Sequence, residues 1–255
     1  MLKKRLIGVI AVKAGIAVQT FGYRRYLPLG SPECLAENLN RWGVDEILVL
    51  CIDRSHNGLG PDLALLRRLG ALGLSTPLSY GGGVHTPADA AQAIQAGAER
   101  LCLDAVLHTD PNAVRDMAEL LGSQALVAAM PMAMCGDTAM RYAYMQNSLL
   151  PYAEETNRLF DEGAVSEALL IDAVHEGQRN AFDAELVRCF PRQATPLIVF
   201  GGISEPMQVT RLLDETTVVA VAVGNSLNYS EHAVQNLKQQ VQAPSLRPAI
   251  YLEGR

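Results

Sequence analysis

Pro77-Leu78-Ser79-Tyr80-Gly81-Gly82-Gly83-Val84 returns 119 residues later as Pro196-Leu197-Ile198-Val199-Phe200-Gly201-Gly202-Ile203. Each copy is a proline, a short apolar run and a glycine cluster. After each come one helix-like segment and one more apolar run, ending Leu103-Asp104-Ala105 and Val223-Gly224-Asn225. Two half-barrels of four βα units would produce this offset. The rest of the chain keeps the same beat. Apolar runs at 6–12, 46–52, 77–80, 100–103, 125–130, 168–171, 197–200 and 218–223 are too short for helices. Several are continuously apolar, as strands buried on both faces must be. Between them, Ser31-Pro32, Thr86-Pro87, Asp110-Pro111 and Glu205-Pro206 place a proline just inside a helix. The pattern predicts an α/β protein, a closed (β/α)₈ TIM barrel with two-fold half-barrel repeat, with a doubly wound open sheet as the alternative.

Composition agrees with that size of fold. The 255 residues are 49% hydrophobic and 19% charged, with a formal net charge of −6. We expect one barrel over 1–243 and an extension over 244–255, the latter carrying two prolines and a glycine. Modest acidity gives no reason for a nucleic-acid or membrane partner. No run approaches a bilayer-spanning length, and the basic start Lys3-Lys4-Arg5 leads into a strand rather than a signal peptide. Cysteines 34, 51, 102, 135 and 189 are widely spaced without a CxxC pair, which points to reduced thiols in the cytoplasm rather than disulfides or zinc. No Rossmann glycine pattern, P-loop or nucleophile elbow is present, so neither cofactor nor metal is expected.

The symmetric glycine clusters carry the clearest chemistry. Glycine lets backbone N–H groups approach a phosphate, and the following helix offers its positive end. One cluster alone is as well explained by a tight turn. Two at symmetric positions suggest a ligand with phosphates at both ends.

The layout resembles the cyclase subunit of imidazole glycerol phosphate synthase over essentially residues 1–243. The stretches that carry the likeness are Lys4-Arg5 with Val12-Lys13 and Gly15, Asp45-Glu46, Tyr80-Gly81-Gly82-Gly83-Val84, Gly97-Ala98 before Arg100, and Gly122-Ser123-Gln124. Glu167-Ala168-Leu169-Leu170 leading to Glu176-Gly177, and Gly201-Gly202, complete it. The resemblance implies one phosphate site on Gly82, Gly83 and Asp104, and a second on Gly177, Gly202, Gly224 and Asn225. It also implies a glutaminase docked at the N-terminal face, delivering ammonia through a gate of Arg5, Glu46, Arg100 and Glu167. Read without the family, those four charges are a salt-bridge plug closing the barrel, and the two readings can describe one object.

Departures from the family pattern weigh against its usual reaction. The family's two catalytic aspartates fall here on Ala11 and Pro131, and neither side chain can move a proton. Cys51 replaces a further acid, with Asp53 two residues on. Asp104 replaces an asparagine that cups phosphate, and its charge would repel one. The loop with Gln19-Thr20-Phe21-Gly22-Tyr23 and Arg24-Arg25-Tyr26 resembles a divergent branch associated with acetamidino modification of bacterial surface sugars. Arg24 and Arg25 could reach a phosphorylated or nucleotide-sugar ligand, or simply be solvated.

The polar set left at the mouth is Asp53, Asp104, Asp172, His175 and Glu176. Asp53, Asp172, His175 and Glu176 are the catalytic candidates. Against that, Asp172 could cap its loop, His175 could be a loop residue, and Asp53 with His56 is too few ligands for a metal. His85 is read as a capping or packing residue. The Met-rich stretch 130–145, with Tyr142 and Tyr144, is read as loop and helix packing. Three functions remain open. They are an ammonia-using synthase subunit serving surface-sugar amidination, an ordinary cyclase of histidine synthesis (a lyase-type activity), and an inactive barrel that activates a glutaminase.

Overall fold

A computed structural model describes residues 3–144 and 146–250. Met145 and the last five residues of the extension lie outside the described residues. The strands are β1 (Arg5–Lys13), β2 (Ile16–Phe21), β3 (Arg25–Gly30), β4 (Glu46–Cys51), β5 (Leu78–Gly81), β6 (Arg100–Leu103), β7 (Leu126–Cys135), β8 (Thr138–Ala143), β9 (Ser148–Leu150), β10 (Glu167–Asp172), β11 (Leu197–Phe200) and β12 (Val218–Val223). Eight of them, β1, β4–β7 and β10–β12, pair in parallel in chain order. The ring closes because β10 pairs with β7, Glu167 beside Val127 through Asp172 beside Met132. That pairing rules out the open sheet. The fold is a (β/α)₈ barrel.

Local chemistry sets the helices. Ser31 accepts the Cys34 N–H ahead of helix Pro32–Trp42, and Asp110 accepts the Ala113 N–H ahead of helix Pro111–Leu121. Thr86 and Asp89 cap each other's backbone at helix Pro87–Gln95. Before helix Pro206–Asp214, Glu205 makes no side-chain cap.

Alternation along each strand sends one set of side chains into the barrel and the other against the helices. The inner set forms an apolar column that includes Ile7, Leu48, Val127, Leu169 and Ala220, and higher up Cys102, Ala129 and Ile171. A larger apolar layer lies between strands and helices.

Two expectations need correction. The segment after β1 is an antiparallel hairpin, β2 on β3, continued from β1 through Ala11 beside Val18. Likewise β7 runs past the barrel into a hairpin with β8 and β9, so the Met-rich stretch is strand and turn over its described residues, 130–144. Apolar alternation carried beyond the barrel rim reads from sequence as packing filler, because its partner strand lies in the same hairpin. The division at residue 243 stands as a proposal. Residues 244–250 pack on the rim, where Lys4 N–H donates to Ser245 O (2.7 Å), Arg247 N–H donates to Lys4 O (3.0 Å) and Leu246 is buried.

Candidate functional site: a charged floor and a divided mouth

At the N-terminal end of the barrel, Arg5, Glu46, Arg100 and Glu167 form a crossed ring. Arg5 lies 2.7 Å from Glu167 and 3.7 Å from Glu46, while Arg100 lies 2.8 Å from Glu167 and 3.6 Å from Glu46. These side chains start β1, β4, β6 and β10, the same layer of the inner row, so the barrel itself brings them together. Ser79 adds a hydroxyl donor to Glu46. Burial alone would raise the Glu167 carboxyl, but Arg5 and Arg100 hold it below the ordinary carboxylate range. Like charges can share a barrel axis only when crossed with opposite ones.

The β2–β3 hairpin divides the opposite face, the mouth. Its tip is gripped from two strand ends. The Glu176 carboxylate accepts from the Thr20 hydroxyl and the Tyr23 N–H, and its carbonyl accepts from the Gly22 N–H. The Asn225 amide brackets Thr20, donating to its carbonyl (2.7 Å) and accepting its N–H (3.4 Å). Gly177 is required by the same contact, because a Cβ there would lie 2.3 Å from Thr20 O. Held this way, Tyr23 packs its ring on the top of the apolar column, and its buried hydroxyl has no partner among the described residues.

One compartment, about 590 Å³, is lined by Gly177, Gly202, Gly224 and Asn225, with Ser226 and Arg179 also on its wall. This is the neighbourhood expected for the second phosphate site. Two of its expected contacts, Gly177 and Asn225, also serve the hairpin. Arg179, paired with Glu205 at 3.2 Å, brings a cation that the sequence reading missed.

The other compartment, about 520 Å³, lies between the two hairpins, with Lys13, Tyr23, Asp53, Asp104, Pro131 and Tyr144 among its walls. Arg24 roofs it by donating to Asn147 Oδ1 (2.6 Å) on the far hairpin. The expected first phosphate cup is furnished otherwise here. The Gly83 N–H donates to Ser55 Oγ (3.1 Å) rather than facing open space. Gly82 and Gly83 adopt φ of +127° and +72°, and Gly201 and Gly202 repeat this at +101° and +72°. A Cβ on Gly82 would meet Cys51 O at 2.4 Å, and one on Gly201 would meet Asp172 O at 2.7 Å. The glycine repeat is therefore a packing requirement, each cluster passing under the end of the preceding strand. Asp104 accepts a hydrogen bond from Tyr144, and burial pushes its carboxyl up to about 7 against the opposing pull of Tyr144 and Arg141.

The other candidates have structural partners. Asp172 is fully buried and accepts the N–H groups of Val174, His175 and Asp183 together with His175 Nδ1 at 2.7 Å. It anchors the loop after β10, and His175 is part of that anchor. Asp53 accepts the Ala14 N–H at 2.8 Å. Among the described residues no group of three or more His, Cys, Asp or Glu gathers as a metal site. Ala11 and Pro131 stand at the mouth with no titratable group. The sequence reading named Tyr23 only within its loop and took Tyr144 for packing, and gave neither a place at the site, because their positions depend on which way each hairpin folds.

The chain is a closed parallel barrel with a charged floor and ligand-sized cavities at the C-terminal ends of its strands, the face where barrels of this architecture carry their sites. The chain belongs to the family described as histidine biosynthesis protein, which matches residues 5–233. It is similar to imidazole glycerol phosphate synthase subunit HisF of Streptococcus sanguinis, 25% identical over 98% of this chain and all of the relative. The subunit of the same name from Bacillus cereus is 26% identical over 94% and 96% of the two chains. A Vibrio vulnificus relative, provisionally named imidazole glycerol phosphate synthase subunit hisF2, is 28% identical over 96% and 91% of the two chains.

Proposed function

We propose that this chain is a divergent synthase subunit that accepts ammonia from a glutaminase docked beneath the floor ring and delivers it to a phosphorylated small molecule or nucleotide sugar at the mouth. Amidination of a surface-sugar precursor is the reaction class we assign to it. One arrangement carries the reading, a crossed ring of four charges under an apolar column that opens on ligand-sized cavities. The glutaminase partner and the ammonia route rest on similarity to the synthase subunits together with that ring. Capture of a glutaminase by the tagged chain, followed by glutamine-dependent turnover in the complex, tests it. A chain that binds no glutaminase would leave the ring as a plug alone.

The relatives' names favour a second reading, formation of imidazole glycerol phosphate. Ala11 and Pro131 oppose it, because each missing proton-transfer group commonly removes about 10²–10⁴-fold in rate. With the synthase's bisphosphate substrate and ammonium salt, the purified chain is expected to turn over at least about 10²-fold more slowly than an ordinary cyclase. A rate within tenfold would restore the histidine reading.

The phosphate end of the ligand belongs in the cavity beside Gly202 and Gly224. Gly202→Val is a poor probe, since its Cβ would meet Phe182 N at 2.8 Å at a φ of +72°. Ser226→Asp instead adds a negative charge at the cavity wall. It is expected to abolish binding of inorganic phosphate, followed by ³¹P NMR, and to leave the melting temperature nearly unchanged. Unaltered phosphate binding would remove the site.

A further inference from the structure

The cavity between the hairpins holds a carboxyl that the expected phosphate cup has no use for. Asp104 follows β6 on the inner row, and the cavity wall beside it includes Cys102, Ala129 and Ile171, which are also the upper end of the apolar column. The upper end of that column, under the Tyr23 ring, therefore lies beside this carboxyl. The Tyr144 hydroxyl joins Asp104 to Ser55, which in turn holds the Gly83 N–H. These contacts orient the carboxyl and occupy the donor that a phosphate would need. The charged and titratable groups facing it are Cys102 below, Tyr23 from the first hairpin and Arg141 from β8. Lys13, Arg24, Asp53 and His56 stand on the remaining walls.

Resting on the ammonia-using reading above, we infer that Asp104 is the proton-exchanging group of this mouth, taking the surplus proton of ammonia as it adds to an uncharged carbonyl or imine carbon held between the hairpins. The nitrogen lone pair forms the C–N bond while the π pair moves to the carbonyl oxygen or imine nitrogen. One N–H bond of the resulting ammonium group then breaks, its electron pair stays on nitrogen and the proton joins an Asp104 carboxylate oxygen. That carboxyl returns the proton to the negatively charged oxygen or nitrogen, so the addition is balanced and Asp104 is regenerated. The end of the ligand that enters this cavity is thus uncharged, and its phosphate lies elsewhere. A carboxyl titrating near neutrality can serve in both directions of that exchange.

The test is ¹³C NMR of the full chain carrying carboxyl-labelled aspartate, with ammonium chloride as the probe. One carboxyl should titrate near neutrality, vanish in Asp104→Asn, and titrate higher in Tyr144→Phe, where the carboxylate loses a donor. Ammonium chloride should move its midpoint to lower pH. Tetramethylammonium chloride at equal ionic strength should not, because it has no N–H to donate. An Asp104 midpoint in the ordinary carboxylate range overturns the inference, and so does an equal response, or no response, to the two salts. Glutaminase capture is read separately. A specific ammonium response without a captured glutaminase would leave Asp104 as a site for free ammonia and reject the partner.

Discussion

Asp104 and His108 lie four residues apart and respond to pH in opposite senses. Burial keeps Asp104 protonated up to about 7, whereas an unfolded carboxyl ionises near 3.8. Between those values the folded chain holds the extra proton, so its stability falls as pH rises. His108, part-buried against the Thr156 hydroxyl, is pushed down to about 4 by burial and then by Arg141, from 6.5 when unfolded. Between 6.5 and 4 the unfolded chain holds the extra proton, and stability falls as pH falls. Each slope is at most about 1.4 kcal/mol per pH unit, and they oppose one another in that window. Asp104→Asn is expected to expose the histidine slope, so the variant loses more stability than the parent on acidification from pH 6.5 to 4 and gains stability above pH 7. Urea unfolding across that range measures it, and parallel curves for parent and variant would contradict the assignment.

The hairpin β2–β3 is the element that separates this mouth into two compartments, and Glu176 is its principal anchor. The Glu176 side chain is buried, which raises its carboxyl, and the Thr20 and Tyr23 donors counter that rise. Glu176→Ala leaves the Thr20 hydroxyl and Tyr23 N–H without this acceptor, at a cost of about 1–3 kcal/mol. The base of the hairpin pairs with β1 and buries Ala17 and Val18, whereas its tip is held by this anchor, Asn225 and the Tyr23 ring, so the loss should be local to the tip. Amide exchange should quicken over residues 19–26 while the barrel strands and the hairpin base remain protected. Uniform acceleration through the barrel would show the hairpin to be part of the global folding unit. The motif Glu176-Gly177, which resembles a phosphate-site signature in sequence, acts here at least equally as a clamp.

The floor ring belongs to the whole molecule, since its four members come from strands that only barrel closure brings together. Glu46 is its most enclosed member, 4% exposed. Glu46→Ala leaves Arg5 and Arg100 facing each other with one carboxylate between them, and should cost about 3–5 kcal/mol. Arg5→Ala should cost less, because its side chain is 19% exposed and water can replace part of the lost interaction. The two variants also separate gate from plug. If the ring gates ammonia, Arg5→Ala uncouples glutamine hydrolysis from synthesis in the complex while free ammonium still supports the reaction. A variant that only melts earlier, with coupling intact, would assign the ring to stability alone.

Sequence alone determined the barrel and the charge of its floor. Strand runs such as 197–200 are buried on both faces and must be continuously apolar, so they announce themselves, and the 119-residue repeat counts them into two halves. Arg5, Glu46, Arg100 and Glu167 were legible because each begins an apolar run, and a charge at that point of a closed barrel faces the axis. The absence of a proton carrier at 11 and 131 was legible only through the resemblance to the cyclase subunit, whose catalytic aspartates fall on those positions. Tertiary structure decided what the mouth contains. The glycine clusters read as phosphate donors, but the close passage of Gly82 under Cys51 and of Gly201 under Asp172 exists only between neighbouring units of the closed ring. Asp172 and Glu176 read as candidate acids, yet their partners lie up to 156 residues away in the case of Thr20, or in the fold of their own loop. Tyr23 and Tyr144 had no pattern to reveal them, because a hairpin's direction over a barrel is set by its anchors and not by its own alternation of side chains. Asp104 could be placed at a strand end from sequence. Its neutral-range carboxyl depends on burial and on the Tyr144 hydroxyl brought over by the second hairpin, and both of those arise only when the chain has closed around it.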